Sequence, residues 1–63
     1  MAQKLMMYYA MIEKEGGLGA KIKLATQTRI PSVKAATAPD SPENIDAFRN
    51  AYARITGKPA PFV

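Results

Sequence analysis

Residues 40–57, DSPENIDAFRNAYARITG, carry a full set of helix start and stop signals, and the rest of the chain has to fit around them. Ser41 stands before Pro42 and Glu43. A Ser hydroxyl accepts from one of the backbone N–H groups that a helix start leaves orphaned. Pro suits the first helical position, where an N–H would be unpaired and φ is already helical. Asp40, Glu43 and Asp46 lie near the positive end of the helix dipole, and Arg49, Arg54 and Lys58 toward its negative end. Gly57 can adopt the left-handed conformation that closes a helix, and Pro59 blocks continuation. Ile45, Phe48, Tyr52 and Ile55 recur at one face of a 3.6-residue period, widened by the small Ala47 and Ala51. The pattern predicts a helix over 42–56. A short chain needs every such stripe for its own core, so this face is expected inside.

Length sharpens that argument. Sixty-three residues make one domain, expected over residues 1–58 with a Pro-rich tail at 59–63. A chain of this size buries only about 60% of its unfolded surface. It has no Cys, so no disulfide or thiolate metal site supplies the missing stability. Tight helix packing or self-association must do so. The balance of apolar and charged residues is that of a globular chain rather than a disordered one.

The first segment, 2–15, is rich in Leu, Met, Ala, Glu and Lys and reads as a helix. Leu5, Tyr8, Tyr9 and Ile12 form one stripe, while Met6, Met7, Ala10 and Met11 cover the opposite side. A helix apolar almost all round is normally buried on several sides, which a chain this small cannot easily provide. Met is flexible and polarizable, as adaptable surfaces require. Met6, Met7, Tyr8 and Met11 are therefore the candidate partner-binding residues. Tyr8 and Tyr9 point about 100° apart, so burying both in one core requires partners or solvent for their hydroxyls.

Gly16-Gly17-Leu18-Gly19 is expected to end this helix. In 20–28, Leu18, Ile22 and Ala25 share a helical face and Leu24 falls off it. Lys21 to Leu24 also alternates like a strand, but a lone strand has no pairing partner, so helix is expected. Pro31 disfavours helix at Ile30 and can open a short helix over 31–37, with Ile30, Val33 and Ala36 inward. In the tail, Phe62 is a candidate apolar plug. The expected fold class is all-α: a small compact domain of three main helices plus one short helix. The expected core is Leu5, Tyr9, Ile12, Leu18, Ile22, Ala25, Ile30, Val33, Ile45, Phe48, Tyr52 and Ile55.

Charge supplies the second functional signal. The net charge is +4. Residues 16–39 contain Lys21, Lys23, Arg29 and Lys34 and no acidic residue, so the whole excess lies there. These four are the candidate nucleic-acid-binding residues of an alternative reading. Two patterns bear on it. Gly16-Gly17-Leu18-Gly19 with Ile22 matches the G-x-x-G-x-x-I spacing of the KH-domain clamp, but there is no basic residue between the glycines and no three-stranded sheet. Leu24 to Val33 loosely resembles the core of a helix-turn-helix, with Arg29 at the position of the turn glycine. Neither identifies a family.

Catalysis is not expected. With no His and no Cys, the usual general base, thiol nucleophile and most transition-metal ligands are missing. Ser32 and Ser41 sit beside Pro at helix starts. Glu13, Glu15, Asp40, Glu43 and Asp46 have no calcium-loop spacing. No catalytic, cofactor-binding or metal-binding residue is assigned. The longest apolar run, Leu5 to Ile12, is too short to span a bilayer, which needs about 20 residues. Glu13, Lys14 and Glu15 then stand where a signal-peptide cleavage site would be. The sequence therefore predicts a small, non-enzymatic, cytoplasmic interaction module. It would bind itself, as a homo-oligomer, or another protein through the Met-rich helix, with nucleic acid as the alternative partner and no membrane.

Overall fold

The computed structural model describes residues 3–60, and these form an all-α fold. The helices are α1 (Gln3–Thr28), α2 (Ser32–Ala35) and α3 (Pro42–Thr56). Phe62 lies outside the described residues.

The two helices expected over 2–15 and 20–28 run as one 26-residue hydrogen-bonded element, broken inside at Gly17 (φ 72°, ψ −155°). A straight helix of that length would span about 39 Å. The longest dimension of the fold is 25 Å, so α1 is bent back on itself. Gly17 makes the bend because its backbone conformation is nearly restricted to glycine. Gly19 has resumed helical geometry.

α3 forms as its end signals dictate. Ser41 Oγ accepts from the Asn44 backbone N–H at 3.2 Å, and Pro42 opens the helix. Gly57 closes it in the left-handed conformation (φ 71°), its N–H donating to the Ala53 carbonyl at 2.9 Å. Asn44 Nδ2 also donates to the Pro39 carbonyl at 2.8 Å, fixing the approach of the linker. Asp40 then reaches the start of α1, where Oδ2 accepts from the Lys4 N–H at 3.4 Å.

The core lies where the first half of α1 meets α3 and the returning second half. Leu5, Tyr8, Tyr9, Ile12, Phe48, Ala51 and Tyr52 are buried, joined by Ala20 and Leu24 from beyond the bend and Ala35 from α2. Both tyrosines fit because they share Phe48 but differ in their second partner. Tyr8 packs against α3, with ring centroids 6.0 Å from Phe48 and 5.9 Å from Tyr52. Tyr9 meets the Phe48 ring edge-on at 5.6 Å and donates its hydroxyl to the Ile30 carbonyl at 2.5 Å. Burial raises the pKa of both phenols; at Tyr8 the nearby Arg49 guanidinium partly opposes the rise.

Three expected core residues are not in it. Leu18, Ile22 and Val33 are exposed, at 69%, 58% and 79% of their full surface. The second half of α1 is rotated so that Ala20 and Leu24 face inward and Leu18 and Ile22 face outward. In α2, Ala35 rather than Val33 or Ala36 turns to the core. Ala25, Ile30, Ile45 and Ile55 are half-buried against the core, on its margin.

Candidate functional site

The candidate partner-binding residues of the first half of α1 divide. Tyr8 is fully buried between α1 and α3 and is withdrawn from any surface role. Met11 is half-buried against the core. Met6 and Met7 are exposed, at 39% and 47%.

Sequence reasoning missed the more pronounced apolar surface, which lies beyond the bend. Leu18 and Ile22 follow at helical spacing along the outer side of α1, with Ala25 next on the margin of the core. With Lys21 they form one wall of a groove of about 220 Å³; Tyr9 from the first half of α1 and Pro31 and Ser32 from the start of α2 close the rest. The groove exists because Gly17 folds the helix back and because Arg29 ends it. Arg29 is the one non-glycine residue with positive φ (61°) among those described, and its N–H still donates to the Ala25 carbonyl at 2.8 Å. It thus takes the closing position that glycine usually fills. Thr28 supports the turn: its hydroxyl donates to the Leu24 carbonyl at 2.7 Å and accepts from the Ile30 N–H at 3.3 Å. The signal for this surface was present as the Leu18–Ile22–Ala25 stripe, but periodicity does not say which of two stripes turns inward.

Met6 lies seven residues before Glu13, on the same face of α1. Glu13 Oε1 stands 3.7 Å from Nζ of Lys21, a groove residue. Neither Met6 nor Met7 lines the groove, and the two are turned about 100° from each other.

The four candidate nucleic-acid-binding cations are not gathered on one face. Lys21 and Lys23 are two residues apart, about 200° around the helix. Lys21 is engaged by Glu13, whereas Lys23, Arg29 and Lys34 make no ion pair among the described residues. The two nucleic-acid patterns also lose their geometry. Gly16 to Gly19 is no open clamp loop, since the helix resumes directly after Gly17. The helix after Arg29 is four residues long, too short to lie along a major groove.

A second depression, about 150 Å³, is lined by Glu15, Gly16, Ala20, Ile55 and Thr56. Lys58 Nζ donates to Glu15 Oε1 at 2.8 Å, and this bond raises the Lys58 pKa. The site therefore has its carboxylate already paired and joins the end of α3 to the bend in α1. Among the described residues no group of three or more acidic side chains converges as metal ligands would, and no helix is long and apolar enough to cross a membrane. No protein-family model, curated protein or solved structure matches the chain.

Proposed function

We propose that this protein is a small non-enzymatic interaction module that binds a protein partner through the outer side of α1. The observation that carries the reading is the outward stripe of Leu18 and Ile22 along the groove. Leu18, Ile22 and Val33 are large apolar side chains left in water by a chain that has little apolar surface to spare. Isolated exposed apolar residues need no explanation, but Leu18 and Ile22 lie one turn apart beside a concave surface. The lack of His and Cys supports the non-enzymatic part.

Affinity selection of random peptides on the immobilised chain tests the proposal, with the L18E/I22E double variant as the counter-target. The reading expects peptides that bind the chain and not the variant. Selections that return no peptide, or only peptides that bind both proteins equally, contradict it.

A further inference from the structure

We infer that Gly17 is the hinge of a domain exchange, in which two chains trade the first half of α1 and each α1 straightens into one continuous helix. Gly17 is the one residue inside α1 with non-helical φ and ψ, and helix runs into it from both sides. No loop separates the two halves, so the turn between them rests on a single backbone conformation. Glycine itself does not hold that conformation, because it adopts negative and positive φ about equally readily. A helical residue 17 would let the backbone hydrogen-bond ladder run through the break. What keeps the single chain folded back is the packing between the halves, and a second chain can supply the same packing.

The contacts across the hinge define what is exchanged. Tyr8 meets Phe48 and Tyr52, and Tyr9 meets Phe48 and donates to the Ile30 carbonyl. The Lys21–Glu13 and Lys58–Glu15 ion pairs join the same two sides. Each of these contacts has one residue in 3–16 and the other in 18–60, so each re-forms between two chains with its partner unchanged. The groove re-forms as well, with Tyr9 from one chain and Leu18 and Ile22 from the other. The exchange does not depend on what the groove binds. The fold-back is tightest at Gly16, where a Cβ would stand 2.8 Å from that of Ala20. In a straight helix, positions four residues apart hold their Cβ atoms about 5–6 Å apart. Gly16 and Gly17 thus permit the bent form for two separate reasons, whereas Gly19 is already helical.

A Cβ at position 17 shifts the balance toward the pair. Ala in the conformation of Gly17 is disfavoured about 30-fold, and that penalty disappears once the residue is helical. Two hinges straighten per dimer, so Gly17→Ala should tighten association about a thousandfold. In the native chain the two halves meet at an effective concentration on the order of millimolar, and the single chain prevails below it. Gly17→Ala brings the crossover down to micromolar. Its thermal penalty therefore belongs to the dilute chain, and its Tm rises with protein concentration. Leu5, Tyr8 and Ile12 are fully buried, so the halves separate only when much of the core opens. Exchange is accordingly slow in the folded protein and occurs on refolding.

The test is light scattering of the native chain, Gly17→Ala, Gly16→Ala and Gly19→Ala, each refolded from urea at micromolar to millimolar concentration. Gly17→Ala is expected to be dimeric at micromolar concentration, with Gly16→Ala shifted in the same direction. The native chain and Gly19→Ala should remain single until the millimolar range, where the dimer appears. In a Gly17→Ala dimer assembled from isotope-labelled and unlabelled chains, filtered NMR should show Tyr8 and Tyr9 in contact with Phe48 between chains. A dimer that keeps those contacts within one chain is a side-by-side pair and overturns the proposal. So does a Gly17→Ala chain that stays monomeric to millimolar concentration with a constant Tm. If Gly17→Ala does not fold, Gly16→Ala and the native chain refolded at millimolar concentration decide by the same two readouts, and monomers in both overturn the exchange. The peptide selection on Leu18 and Ile22 reads the interaction surface independently of every one of these outcomes.

Discussion

Replacing Gly17 by Ala should destabilise the fold that the bend in α1 organises, and the glycines on either side give the comparison. At φ 72°, ψ −155° an L-residue is strained. Nothing lies within 4 Å of the position a Cβ would take, so crowding plays no part and the effect is one of backbone conformation. That strain costs about 2 kcal/mol. In a domain of this size it should lower Tm by about 8–16 °C. Gly19 also has open space at its Cβ position, but it is helical. Gly19→Ala should therefore stabilise by about 0.8 kcal/mol, the propensity difference between the two residues. Gly16→Ala should destabilise for a third reason, since its Cβ would stand 2.8 Å from that of Ala20. Thermal melts followed by circular dichroism, with urea titrations for the free energies, measure all three. If Gly17→Ala matches Gly19→Ala in sign and size, residue 17 is an ordinary helical position and the folded-back α1 is refuted.

Three further outcomes follow from the same contacts. Phe48→Ala removes a fully buried ring that touches both Tyr8 and Tyr9. Its cost of about 3–5 kcal/mol approaches all that a core of this size supplies, so loss of the cooperative melt is expected. Ser41→Ala deletes the acceptor at the start of α3 and should cost about 1 kcal/mol in urea unfolding. Burial raises the Tyr8 and Tyr9 pKa above the ordinary 10.0. Folding therefore favours the neutral phenols; their contribution is intact below about pH 10 and is lost as pH rises through the folded values. The urea midpoint should fall more steeply above pH 10 in the native chain than in Tyr9→Phe, and identical slopes would count against it.

How much of this was legible in the sequence depended on whether the signal was local. α3 was readable end to end because Ser41, Pro42 and Gly57 each act within a turn of their own position. The first half of α1 was readable in its stripe of Leu5, Tyr9 and Ile12, all buried as expected. Tyr8 lies on the same stripe but was expected at a partner surface; Phe48 and Tyr52 of α3 cover it instead. Beyond Gly17 the sequence held two competing stripes. The larger, Leu18–Ile22–Ala25, was the natural choice for a core, and the smaller, Ala20–Leu24, took that place. Rotation of a helix about its axis is set by the hinge dihedrals and by what fits against the rest of the core, neither of which is written in periodicity. The candidate site inherits that difference: the methionines were visible as excess apolar surface, while the groove became visible only once the hinge was in place.

Leu18 and Ile22 belong to a surface and not to the core, and the stability of L18Q/I22Q checks that placement. Gln keeps helix propensity and removes apolar character. The double variant is expected to keep a well-dispersed NMR spectrum and an unfolding free energy within about 1 kcal/mol of the native chain, as two independent surface substitutions allow. Collapse of dispersion, or a loss of several kcal/mol, would place both side chains in the core and remove the groove.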